Sequence, residues 1–168
     1  TGCTANDTND MSVTLDPATL TEETLAITGV GPRRSLLARR VPDGRGTRPV
    51  AANVDQVVVV IAAADPDPIP QLMDRLLVVA EANEIPCWVV VNKTDLGSAA
   101  PIEAHLRASG YRVLPTAARA GEGVEALRTA LFGATSVLTG PSGAGKSSLL
   151  NALEPGLGLR VGAVSAKV

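Results

Sequence analysis

The stretch GPSGAGKSS at positions 140–148 constrains this chain more than any other. Gly140, four further residues, then Gly145, Lys146 and Ser147 match the phosphate-binding loop pattern without a mismatch. The chemistry asks for these residue types. Gly143 and Gly145 let the backbone turn several N–H groups toward one anion, and a following helix adds its positive end. Lys146 is placed to reach the β and γ phosphates of a nucleotide as a mobile charge, and the Ser147 hydroxyl to complete the oxygen coordination of Mg²⁺. Pro141, Ser142, Ala144 and Ser148 complete the expected loop. The flanks agree, because residues 135–139 (TSVLT) are β-rich and residues 147–153 (SSLLNAL) read as helix.

Upstream, the pattern alternates between strand and helix. Residues 56–61, 87–91, 111–114 and 135–139 read as strands, and the β-branched run QVVVVI suits one buried on both faces. Helices are expected from Pro70 onward, with Leu72, Met73, Leu76, Leu77, Val79 and Ala80 on one face, and over residues 102–109 and 123–132. Gly110 is a plausible residue to end the second of them. This βαβαβαβα order predicts an α/β domain with a parallel sheet, right-handed crossovers and helices on both faces. Ligands of such sheets bind at the carboxyl ends of the strands.

Two of those ends carry further chemistry. The second strand of the series runs into Asn92, Lys93, Thr94 and Asp95. A carboxylate at Asp95 can accept hydrogen bonds from both N1–H and the exocyclic amine of guanine, which adenine lacks. The Lys93 stem is long enough to lie along a purine face, and the Asn92 amide can tie the loop to a neighbour. The third strand runs into Pro115, Thr116, Ala117 and Ala118, whose small side chains would let a backbone N–H approach guanine O6. The only histidine, His105, falls within a helix and reads as exposed rather than catalytic.

Ahead of the alternating region lie an irregular leader (residues 1–12) and a small β unit (residues 13–50), with β-like segments at 12–15, 24–30 and 35–41. Residues 1–32 contain no Lys or Arg, and then Arg33, Arg34, Arg39, Arg40, Arg45 and Arg48 follow in quick succession. Such a cluster suits a phosphate backbone, or a solvated loop, even at a net charge of −2. The longest apolar run is too short for a bilayer, residues 1–10 lack the pattern of a secretory signal, and Cys3 and Cys87 make no disulfide framework. A cytoplasmic monomer without membrane contact is expected.

The motifs NKTD (92–95), TAARAGEGVEAL (116–127) and GPSGAGKSS (140–148) look like the G4, G5 and G1 motifs of a GTPase, with the phosphate loop last instead of first. The order is that of a circularly permuted chain. With PRRSLLARR (32–40), AANVDQVVVVIAA (51–63) and NALEPGLGLRVGAVSAK (151–167), residues 30–167 most resemble the ribosome small-subunit-dependent GTPase A family. Thr116 stands where that family usually has Ser.

The resemblance implies a permuted GTPase domain over residues 51–168, an OB-fold of which the β unit is an incomplete part, and hydrolysis of GTP to GDP in late maturation of the small ribosomal subunit. It also implies ribosomal RNA as the partner of the arginines, and zinc in a C-terminal domain beyond this sequence. The switch segment with its Mg²⁺-binding Thr and the DxxG motif would follow Val168. No residue present reads as the group that positions the attacking water. Three other readings are a permuted GTPase of the large subunit, a guanylate-kinase-like enzyme, and a nucleotide-dependent RNA-binding module without hydrolysis.

Overall fold

A computed structural model describes residues 31–41 and 46–161. The expected leader, the segments at 12–15 and 24–30, and Arg45 lie outside them. The chain divides into two compact units, Thr1–Val54 and Asp55–Val168.

In the first unit, β1 (Leu36–Arg40) pairs antiparallel with β2 (Thr47–Ala52). The second strand is absent from the sequence reading because Pro49 cannot donate to a ladder and marks a break. The register resolves this. Leu37 pairs with Ala51 and Ala38 with Pro49, so Val50 is an extra residue on β2, and a bulge is one of the few places where a strand tolerates proline. The open end of the pair is closed by Asn53, whose Oδ1 accepts from Arg34 N at 2.7 Å, and by Ser35 Oγ, which donates to Val54 O at 2.6 Å.

The second unit is a four-stranded parallel sheet in the order β5-β4-β3-β6, formed by β3 (Gln56–Ala62), β4 (Cys87–Asn92), β5 (Val113–Pro115) and β6 (Ser136–Thr139). Its helices are α1 (Pro70–Glu81), α2 (Ala100–Ala108), α3 (Val124–Leu131) and α4 (Lys146–Leu153). The chain steps from β3 to β4 to β5 and then back past β3 to β6. Right-handed crossovers therefore put α1 and α2 on one face and α3 on the other. The core follows this rule. Val58, Val60 and Val90 pack with Val124 and Leu127 of α3 and Leu149 and Leu153 of α4, while α1 touches β3 and β4. Residues 57–61 and 89–91 are buried throughout, as a two-faced strand requires. The buried Trp88 donates its indole N–H to Gln56 Oε1 at 2.8 Å, and the Gln56 amide in turn reaches Ser136 Oγ at 2.9 Å.

Two boundaries moved for local reasons. Gly110, at φ +86°, ends α2: its N–H donates to Arg107 O and that of Tyr111 to Leu106 O, a Schellman closure that holds Tyr111 out of β5. Pro101 opens the first turn of α2, which starts earlier than the apolar pattern suggests. The reversal of strand order beside β3 leaves a crevice at the strand carboxyl ends.

Candidate guanine nucleotide site

That crevice is a cleft of about 360 Å³. It is lined by Asn92, Lys93 and Asp95 after β4, by Ala118 and Arg119 after β5, and by Ser142, Gly143, Gly145, Lys146, Ser147 and Ser148 after β6. Asp65, Leu96 and Val161 complete the wall. Three loops distant in sequence thus meet at one opening.

Asn92 is the joint between them. It is 1% exposed, and its Nδ2 donates to Ala144 O at 3.0 Å, while Oδ1 accepts from Thr116 Oγ1 at 3.1 Å and from Ala118 N at 3.2 Å. One amide therefore holds the phosphate loop on one side and the loop after β5 on the other. Leaving any of these buried groups unpaired would cost about 1–3 kcal/mol.

The phosphate loop takes the shape its glycines permit. Gly145 has φ +89°, and a Cβ there would lie 2.2 Å from Asn92 Nδ2, so only glycine lets the loop approach the joint. α4 starts at the next residue with no side chain capping its first turn, which leaves its N–H dipoles directed at the cleft. Lys146 Nζ donates to Gly140 O at 2.9 Å and to Pro141 O at 2.8 Å, so the ammonium folds back over the loop. Burial lowers its pKa from the ordinary lysine value. Ser147, half-buried in the same turn, offers a hydroxyl oxygen to the cleft.

The residues expected at the site divide into two sets. Asn92, Lys93, Asp95, Ala118, Ser142, Gly143, Gly145, Lys146, Ser147 and Ser148 line the cleft, whereas Thr94, Thr116, Ala117, Gly140, Pro141 and Ala144 stand behind it. Thr94 donates from both N and Oγ1 to Thr116 O, at 3.2 and 3.1 Å, which pins the loop after β4 to the loop after β5. The N–H groups of Ala117 and Ala118 donate to Glu122 O and Asn92 Oδ1 respectively. The sequence motifs assign Asp65, Leu96, Arg119 and Val161 no place in the cleft, yet all four line it. Of these, Asp65 follows the carboxyl end of β3 and was findable by the strand-end rule.

Of the arginines, Arg34, Arg39, Arg40 and Arg48 are exposed and Arg33 is half-buried, all in the first unit. Arg39 and Arg48 are register partners across β1 and β2, so two like charges stand side by side on one face. His105 is exposed on α2. Among the described residues, no helix is long and apolar enough to cross a membrane.

Residues 30–168 match the family model described as RsgA GTPase. A curated relative from Gemmatimonas aurantiaca, "Small ribosomal subunit biogenesis GTPase RsgA", is 55% identical over 150 residues, covering 87% of this chain and 49% of the relative. A second of the same name, from Moorella thermoacetica, is 46% identical over 122 residues, covering 71% of this chain and 42% of the relative. Among solved structures, YjeQ from Thermotoga maritima superposes with a TM-score of 0.64 at 37% identity, covering 82% of this chain and 48% of that one. YloQ, described as a circularly permuted GTPase, gives 0.58 at 32% identity, covering 76% and 44%. The chain spans about half the length, or somewhat less, of the relatives it matches.

Proposed function

We propose, for a chain that belongs to the RsgA GTPase family, that the cleft binds GTP and GDP, and that the intact protein hydrolyses GTP during late maturation of the small ribosomal subunit. The fold is that of the circularly permuted members, with the phosphate loop after the last strand of the sheet. The observation that carries the reading is the Asn92 joint, which sets the guanine-reading loop and the phosphate loop on one opening.

In this reading Asp95 accepts from guanine N1–H and the 2-amine, Lys93 lies along the purine, and the loop amides with Lys146 stabilise negative charge on the transferring phosphoryl group. The donor set fits Mg²⁺. A hard cation that keeps several of its waters needs only one or two protein oxygens beside the phosphates, and Ser147 presents one next to Lys146. When bound, the ion neutralises charge developing between the β and γ phosphates. The zinc implied by the resemblance is assigned to no residue of this chain. Arg34, Arg39, Arg40 and Arg48 are the surface offered to ribosomal RNA, and the opposed pair Arg39 and Arg48 gains most from an intervening phosphate. The β unit is read as part of an OB-fold.

The test has two parts. This chain with Mg²⁺ binds GDP in preference to ADP but turns GTP over slowly, since the reading assigns none of its described residues to position water. The intact protein is stimulated by isolated small subunits and not by large ones. Stimulated turnover by this chain alone, or stimulation by large subunits, would refute the assignment.

The lowered Lys146 pKa gives a pH signature. Burial alone lowers it in the free protein, and phosphate beside it raises it again, so between the two values binding takes up a proton. Affinity for GDP then falls as pH rises through the free-state value, because the deprotonated amine must take up a proton to hold the phosphate. Calorimetry in buffers of different ionisation enthalpy reads the proton directly.

A further inference from the structure

The nucleotide reading leaves Asp65 unused, although it lines the cleft and belongs to no motif. It lies just past β3, in a loop fastened to the loop after β4 at two points. Ala63 N donates to Asn92 O at 2.7 Å, and Gly97 approaches so closely that a Cβ would lie 2.9 Å from Ala64 Cβ and 3.2 Å from Ala63 O. Asp65 has φ +45° and Lys93 φ +62°, a region that side-chain-bearing residues rarely adopt. Two uncommon backbone turns therefore face each other at the edge of the cleft, and their side chains meet. Lys93 Nζ donates to the Asp65 carbonyl and stands 3.7 Å from Asp65 Oδ2. The lysine is 20% exposed and the aspartate 69%.

We propose that Asp65 is a positioning residue for the base, holding the Lys93 ammonium so that the lysine stem is already laid along the purine face before nucleotide enters. This rests on the guanine nucleotide reading of the cleft. A free lysine has a flexible four-carbon stem, and fixing it on binding would subtract from affinity. Tethered at its tip, the stem is fixed in advance, and the purine meets a preorganised surface. The carbonyl and the carboxylate act differently. The carbonyl direction is set by the left-handed turn, which Asp and Asn tolerate better than most residues, whereas the carboxylate supplies the charge. Asp65→Asn therefore removes the charge and keeps the turn.

The experiment measures binding of GDP and IDP by calorimetry with Mg²⁺ in the wild-type chain and in Asp65→Asn, and of inorganic tripolyphosphate by competition. Both nucleotides are expected to weaken by about three- to fivefold, the range of one partly exposed ion pair. Tripolyphosphate, which has no purine, is unchanged or slightly tighter. In a Lys93→Met background, where the stem remains and the ammonium does not, Asp65→Asn has no further effect, and Asp65→Glu restores part of the loss in the wild-type background. Equal losses with and without the ammonium, or a parallel loss of tripolyphosphate, would overturn the proposal and mark Asp65 as a loop-folding residue. So would undiminished nucleotide binding by Asp65→Asn. Failure of the wild-type chain to bind GDP would instead remove the nucleotide reading, and this proposal with it.

Discussion

Asp95→Asn lowers GDP affinity by at least about a hundredfold and transfers preference to xanthine nucleotides. The expected size follows from two hydrogen bonds to a charged acceptor, each contributing about 1.5–3 kcal/mol. The asparagine amide can still accept from N1–H, but its NH₂ group faces the guanine 2-amine, donor against donor. Xanthine carries a carbonyl at that position, so the same NH₂ group finds an acceptor. ADP gains nothing in the wild-type protein, because adenine presents an acceptor at N1 and no group at C2; in the variant the amide NH₂ can meet adenine N1 alone, one hydrogen bond against the two that xanthine makes, so XDP remains preferred. Calorimetry with GDP, XDP and ADP on both proteins decides it. Asp95 is exposed at the mouth of the cleft and lies outside the Asn92 network, so the substitution leaves that joint intact. Unchanged GDP affinity would mean that the base is read elsewhere, and Arg119, at the tip of the turn closed by the Ala117 and Glu122 bridge, becomes the next residue to examine.

Gly145→Ala has the second large effect, for a steric reason. The added methyl group meets Asn92 Nδ2 at 2.2 Å, and alanine at φ +89° carries a further penalty of about 1–2 kcal/mol. Asn92 must give way, and it holds three loops at once. Both halves of the cleft shift, and a displacement of about 1 Å at such a site can cost about a hundredfold in function. The variant is expected to melt at lower temperature and to lose most nucleotide affinity, including that for tripolyphosphate, which Asp95→Asn should leave intact. GDP affinity within about twofold of wild type would show that the loop and the joint are not in the contact described.

Sequence reading reached the sheet because its two central strands, β3 and β4, are buried on both faces. A β-branched run such as residues 57–61 leaves no amphipathic alternative, and the crossover rule then orders the layers. It failed at β2, where one proline reads as a stop unless the bulge opposite Leu37 and Ala38 is known. At the site, the glycine-rich loop and NKTD were legible because their chemistry is written in contiguous residues. What contiguous residues cannot say is which members face the ligand. Thr94, Thr116 and Ala144 belong to the motifs yet build the wall from behind, and Asp65 faces the cleft from a loop without a motif. Its contact with Lys93 spans two strand ends, and only the strand order brings them together.

The strand order also carries a schedule. A ribosome makes β3, β4 and β5 with the loops that follow them first, and β6 with the glycine-rich loop afterwards. Until β6 emerges, β3 carries an unpaired edge along the centre of the future sheet, and Asn92 lacks the Ala144 carbonyl that it will later engage. Half of the cleft exists in the nascent chain with nothing to grip a phosphate. On the proposed reading of the cleft, nucleotide becomes a stabilising ligand only at the end of translation of this region, so a cell short of guanine nucleotide would see the penalty in the finished domain rather than in the emerging one.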